Sequence, residues 1–244
     1  MPHQTRDLDG SNHRRGSICE TQRVVKTGAR AQILRNLMIG IGFKEATSRP
    51  QPPRLAALLP DARAEIGLLY RQLGGLIESP LLRPGAWDLA FEDGLIVELD
   101  EELHFNRYRN WTLESPRVKD MPWSRDYLRF TAEFETGCLA AGKWGKRWTN
   151  PSCEALFGTA DLPGNFGISG APRWKQRALY DAMKDVSAHS TGTKLARLSV
   201  HDEVNGVRLG DALELRATID AEAFGGLLRR RTHVGSHLPV HHVI

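Results

Sequence analysis

The stretch from Trp87 to Arg109, WDLAFEDGLIVELDEELHFNRYR, sets the strongest constraint on what this chain can fold into. Trp87 to Phe91 is short and apolar, and it ends at Glu92-Asp93-Gly94. Asp-Gly between two apolar runs predicts a β-hairpin with a two-residue turn, in which both central residues take positive φ. Leu95-Ile96-Val97 continues as the apolar run of a buried strand. Side chains alternate along a strand, so Glu98 and Asp100 share one face and Leu99 takes the other. In a registered hairpin Asp88 joins the acidic face from the partner strand. Three carboxylates converging at the end of a buried sheet lose hydration and repel one another, so the arrangement calls for a cation. Mg²⁺ answers that demand, because it takes oxygen ligands and commonly uses one or two carboxylates plus water and phosphate oxygens. Mn²⁺ is the other candidate.

Asp88 precedes Glu98 by ten positions, and Glu98-Leu99-Asp100-Glu101-Glu102-Leu103-His104 then sets Glu, Asp and His at fixed spacing. This pattern resembles the PD-(D/E)XK nuclease superfamily, the restriction-endonuclease-like fold. Within it the chain looks most like the very-short-patch-repair (Vsr) branch, where the motif lysine is absent and an E-x-D-G-x-x-H-like string follows the Asp strand. The likeness covers Pro60 to Arg109 and, more loosely, Arg173 to Asp211. Two departures stand out: Glu101 replaces the glycine usual after the Asp, with Glu102 behind it, and Trp87 replaces the usual proline.

The resemblance implies an α/β domain with a central mixed β-sheet flanked by helices, and a metal-dependent endonuclease acting on nucleic acid, DNA before RNA. Asp88 and Glu98 would ligate Mg²⁺ with the Leu99 carbonyl. Asp100, standing where other branches place lysine, would complete the ligand set or orient the attacking water. His104 would act as general acid or base. A helix Glu that points toward the metal in such proteins maps onto Glu65, although a solvated first-turn Glu is the competing reading. The rival function is a nuclease-like module that binds nucleic acid or protein without turnover, supported by the extra charge of Glu101 and Glu102. A third reading, a structural protein with a solvated acidic hairpin, predicts no metal affinity.

Elsewhere the chain alternates readable helices with loops. Pro60 to Leu73 is an amphipathic helix, with proline in its first turn, Asp61 at the positive end of the dipole and Gly74-Gly75 after it. His104 to Leu113 mixes aromatic and basic residues. There Arg107 and Arg109 are candidate phosphate contacts, while Tyr108 and Trp111 suit the core. Residues 115–172 form a mostly helical insertion, with helical spacing over Asp126 to Ala141. A Gly- and Pro-rich run follows, whose Lys143 and Arg147, beside two tryptophans, are further nucleic-acid candidates. Arg173 to Val186 is a strong helix with Lys175, Gln176 and Asp185 outside its apolar stripe. Lys194 to Val200 alternates as a strand, with Arg197 or Arg177 facing the phosphate side, and Leu209 to Phe224 suits a short terminal helical segment.

Composition enters at the ends. Of 33 Lys and Arg against 29 Asp and Glu, residues 1–54 hold ten against four, leaving 23 against 25 for the rest. A basic arm suits phosphate neutralisation and an unstructured tail equally well. Three prolines in Thr47 to Pro53 read as a linker, so the expected organisation is a largely disordered arm over 1–54, the domain over 55–228 and a basic, His-bearing tail over 229–244. No run is long and apolar enough for a membrane span, and the N-terminus lacks a signal-peptide core. Cys19, Cys138 and Cys153 are odd in number and lack CxxC spacing, which points to a reducing, cytoplasmic setting. No P-loop, G-x-S-x-G or dinucleotide fingerprint occurs, which removes the nucleotide-hydrolase, esterase and dehydrogenase readings.

Overall fold

A computed structural model describes residues 28–235. The expectations for residues 1–25, for Cys19 and for the tail histidines His237, His241 and His242 lie outside that range. In chain order the elements are α1 (Ala29–Gly40), α2 (Pro60–Gln72), β1 (Leu89–Ala90), β2 (Ile96–Asp100), α3 (Arg107–Leu113), α4 (Ser124–Gly142), α5 (Pro151–Phe157) and α6 (Pro172–Thr191). There follow β3 (Leu195–Ser199), β4 (Glu203–Val204), β5 (Val207–Arg208), α7 (Leu209–Leu213), α8 (Ala221–Arg231) and β6 (Thr232–His233). The main sheet runs β1-β2-β3-β6; β2 and β3 are parallel, and the outer pairs are antiparallel. The molecule is α/β, with a mixed four-stranded sheet flanked by helices.

The two-residue period of the strands divides the core. Ile96 and Leu195 face a cluster built from α2 to α6, which includes Ile66, Tyr127, Trp174 and Met183. Val97, Leu99, Ala196 and Leu198 face the opposite cluster, with Leu34 and Met38 of α1, Leu209 and Leu213 of α7, and Phe224 and Leu228 of α8. The first face also carries Glu98 and Asp100 of β2 and Arg197 of β3, all buried. The polar residues of the two central strands therefore lie on the α6 side of the sheet.

Several boundaries differ from the sequence reading. The sequence also suits a short helix around Ala29 to Met38, packed on the body or loose in the arm; it forms as α1 and packs, with Leu34 and Met38 fully buried against the sheet. After it, Ala46 N–H donates to the Ala90 carbonyl and Glu92 N–H to the Lys44 carbonyl, so the chain pairs along the β1 edge. The packed body thus extends N-terminal of residue 55, because a sheet with two apolar faces needs cover on both. At the other end, Arg229 to Arg231 complete α8 and Thr232–His233 pair with β3, which moves the start of any tail beyond residue 229. The expected terminal helical segment is two helices, α7 and α8, separated by an irregular stretch.

The hairpin forms with a different turn. Gly94 N–H donates to the Phe91 carbonyl and Phe91 N–H to the Leu95 carbonyl, closing a three-residue loop, Glu92-Asp93-Gly94. Only Gly94 takes positive φ, at 81°, so the loop is a turn followed by a left-handed glycine and not a primed two-residue turn. The register survives, pairing Leu89 with Val97, and Glu98 and Asp100 share a face as expected. Helix α6 departs in a further way: Lys175, Gln176 and Asp185 are buried rather than outside. Helices α2, α3 and α5 pack on this helix, and Lys184 and Asp185 reach Glu98 and Arg197 of the sheet, so its solvent-facing side is reduced to the face that lines a cleft. Among the described residues, no helix is long and apolar enough to cross a membrane.

Candidate functional site

At the C-terminal end of β2 the acidic face opens into a cleft of about 410 Å³. Asp88, Glu98, Leu99, Glu101 and His104 line one side, and Arg173, Arg177, Tyr180, Asp181 and Lys184 of α6 line the other. Gly28 and Ala31, at the start of α1, close one edge.

Asp88 and Glu98 are fixed by the hairpin itself. Leu99 N–H donates to Asp88 Oδ2 at 2.8 Å, and Asp88 N–H donates to Glu98 Oε1 at 3.2 Å. Lys184, one of the residues missed by the sequence reading, completes the group: its Nζ donates to Glu98 Oε2 at 2.8 Å and to the Ala86 carbonyl at 3.0 Å. Burial raises the pKa of Asp88. Burial and the neighbouring Asp88 raise Glu98 to about 7, against the opposing pull of Lys184. Asp88 Oδ1 accepts no hydrogen bond among the described residues. Two carboxylates that burial makes reluctant to ionise, one with a free oxygen, fit a hard divalent cation, whose charge would relieve both.

Asp100 does not fit that role. Both of its oxygens accept from Arg197 Nη1 at 2.8 Å, and Oδ1 lies 3.0 Å from His104 Nδ1. Burial raises its pKa, but Arg197 and His104 outweigh burial and hold it well below the usual range. Arg197 is fully buried and also meets Asp185 Oδ1 at 2.6 Å, while Asp185 Oδ2 accepts from Arg109 Nη2 at 2.7 Å. Asp100 is thus one link in a buried run of ion pairs behind the cleft, and Arg197 is committed to that run rather than to a phosphate.

His104 sits between that run and the cleft. Its Nδ1 lies 2.8 Å from Asp181 Oδ2, and ligand atoms of Asp100, His104 and Asp181 fall within 4.8 Å of one another. The trio is satisfied by its own hydrogen bonds, which fix the ring. Burial alone would lower the pKa of His104, but Asp181 and Asp100 raise it to about 9. At neutral pH the ring is a cation, with Nε2 left to donate.

The remaining candidates are placed elsewhere. Glu65 is buried on α2 and accepts from Arg117, through its backbone N–H at 3.0 Å and its Nη1 at 2.5 Å. It lines a separate groove with Leu68, Trp111 and Arg117, so the carry-over from the helix glutamate fails. Arg109 is buried on Asp185. Arg107 is spent on Glu135 and lies over the Phe166 ring. Lys143 stands over Trp144, and Arg147 donates to the Ala141 carbonyl. None of these four lines the cleft. Tyr108 is core as expected, whereas Trp111 is half exposed.

The charge of Glu101 and Glu102 is answered by a residue that the sequence reading assigned to the arm. Arg30 of α1 donates from both terminal nitrogens to Glu102 at 2.8 Å, reaches Glu214, and lies 3.7 Å from Glu101.

Fold and site together define an α/β protein with a polar cleft, acidic on the sheet side and basic on the helix side. Residues 68–215 match the model of a family of unknown function (DUF7255), and the chain belongs to that family. The matched span runs from within α2 to just past α7, so it holds every cleft residue except Gly28 and Ala31. No curated protein and no solved structure matches the chain.

Proposed function

We propose that this chain is a metal-dependent nuclease of restriction-endonuclease-like fold, with its centre at Asp88, Glu98 and Lys184. The observation that carries the reading is the carboxylate pair at the end of β2, open to a cleft and paired with a lysine from the opposite wall. Lysine was the element missing from the linear motif; here it comes from α6, 86 positions after Glu98. The order of acidic hairpin, long helix and parallel strand supports the same reading. The buried free thiols of Cys138 and Cys153 agree with a reducing, cytoplasmic setting.

Asp88, Glu98 and the Leu99 carbonyl are the groups that would hold Mg²⁺ or Mn²⁺. Such an ion, when bound, lowers the pKa of a ligated water and offsets charge that builds on the phosphoryl oxygens. Lys184 has three N–H donors, two of them committed to Glu98 and Ala86, which leaves the third for a water or a phosphate oxygen. His104, cationic and locked through Nδ1, is suited to give a proton from Nε2 to the leaving oxygen, so the acid role is favoured over the base. Binding without turnover is the second reading, favoured by the withdrawal of Asp100 into its pair with Arg197.

Calorimetric titration of Mg²⁺ and Mn²⁺ into wild type and Asp88→Ala, with plasmid nicking on the same samples, separates the two. Metal binding that vanishes in Asp88→Ala, together with nicking, supports the nuclease. Binding without nicking selects the silent module, and no metal binding in wild type removes the nuclease.

A further inference from the structure

Arg173, Arg177, Tyr180 and Lys184 stand at i, i+4, i+7 and i+11 on α6, hence on one face of that helix, and all four line the cleft. Lys184 is committed to Glu98. The two arginines are not committed to any carboxylate among the described residues. Arg177 Nη1 donates to the Leu103 carbonyl at 3.1 Å, and Arg173 Nη1 donates to Gln176. The more deeply placed arginines elsewhere are all answered by acids: Arg30 by Glu102, Arg109 by Asp185, Arg197 by Asp100, Arg231 by Asp202. Of the carboxylates on the cleft wall, Asp181 is tied to His104 and Glu101 leans toward Arg30. Two neighbouring guanidiniums therefore face the cleft with no ion-pair partner of their own among the described residues, which leaves their N–H donors open to an anionic ligand. Burial and the adjacent Arg173 lower the pKa of Arg177, and the nearby Asp181 and Glu101 offset this only in part.

We infer that Arg173 and Arg177 form a subsite for a backbone phosphate of a nucleic-acid strand, a few nucleotides from the bond presented to Asp88 and Glu98. The inference deepens the nuclease reading and rests on it for the nature of the anion. A guanidinium fork matches phosphate oxygens in bidentate fashion, which an isolated lysine does not. At 1.5 Å rise per residue, Arg177 lies about 10 Å and Arg173 about 16 Å along the axis from Lys184. With stacked nucleotides rising about 3.4 Å each, those offsets correspond to roughly three to five nucleotides of one strand. The two arginines thus set the direction in which the strand enters the cleft.

The test is fluorescence anisotropy of a fluorescein-labelled 12-nucleotide DNA, single-stranded and as a duplex, over a salt series in EDTA. Wild type, Arg173→Gln, Arg177→Gln, Arg177→Lys and Asp88→Ala are compared. Each arginine-to-glutamine change is expected to weaken binding about 5- to 20-fold near 0.1 M salt and to lower the salt slope by about one. Arg177→Lys should keep most of the slope, a readout that loss of the Leu103 contact alone would not move. Asp88→Ala should bind at least as well as wild type. If Arg177→Gln does not fold, Arg173→Gln and Arg177→Lys decide. Wild-type affinity and slope in the glutamine variants would overturn the subsite. So would inorganic phosphate perturbing the arginine side-chain NMR signals while neither DNA binds. Arginine-dependent DNA binding by a protein that neither binds metal nor nicks plasmid would sink the nuclease reading and leave the subsite standing.

Discussion

Glu98 is subject to opposing influences, and their balance sets a pH dependence. Burial and Asp88 raise its pKa from 4.5 to about 7, although Lys184 pulls the other way. A raised carboxyl pKa means that the proton competes with a cation up to that pH. Metal affinity should therefore climb from pH 5 to about 7 and flatten above, read by Mn²⁺ titration at fixed ionic strength; a flat profile would contradict the assignment. Lys184→Met should move the rise to higher pH. For His104 the sign is reversed. Its folded pKa of about 9 lies above its ordinary 6.5, so its pairing with Asp181 and Asp100 contributes stability in full below pH 6.5. That contribution is lost as pH rises through 9. Urea midpoints should fall over this window in wild type, and His104→Gln should start lower and lose this part of the slope.

At the scale of elements, α6 organises the interior. One of its sides presents Arg177 and Lys184 to the cleft, and another sends Asp185 to Arg197 and Arg109. Removing one member of a buried pair leaves the other charge uncompensated, at a cost of about 3–5 kcal/mol. Asp185→Ala should show a loss of that size in chemical denaturation, whereas Arg107→Ala, at an exposed pair with Glu135, should change stability by less than about 1 kcal/mol. Gly142, at the end of α4, lies against Leu103 and Trp174: a Cβ there would meet Leu103 Cδ2 at 2.6 Å and the Trp174 ring at 2.7 Å. The rigid Trp174 ring cannot yield as the Leu103 methyl can, so Gly142→Ala forces local repacking around Trp174.

For the whole molecule, the sheet is stable only with both faces covered. Helix α1 covers Leu89, Val97 and Leu198 together with α7 and α8, and its Arg30 binds Glu102 and Glu214, 72 and 184 positions away. A chain truncated before Leu55 should lose cooperative melting or aggregate, and Leu34→Ala in the full chain should cost about 2–5 kcal/mol. Retention of the full melting temperature by the truncated chain would show that α1 is dispensable.

Much of this was legible in the sequence. The apolar periods of α2, α4 and α6, the alternation of β3, and the acidic face of Asp88 and Glu98 follow from spacings of two to four residues, because local geometry repeats on that scale. The turn type was misread because Asp-Gly serves both a two-residue turn and a longer loop ending in a left-handed glycine. The partners of the charges were not legible. Lys184 meets Glu98 across 86 positions and Arg197 meets Asp100 across 97. No periodicity records such a pairing, and a lysine or arginine that interrupts an apolar stripe reads like any solvated residue. The sequence by itself determined which strands carry acids and on which face. Only the tertiary structure decided which acids stay open to the cleft and which are sealed by arginine, since that depends on which helix packs over the sheet and where its cations fall.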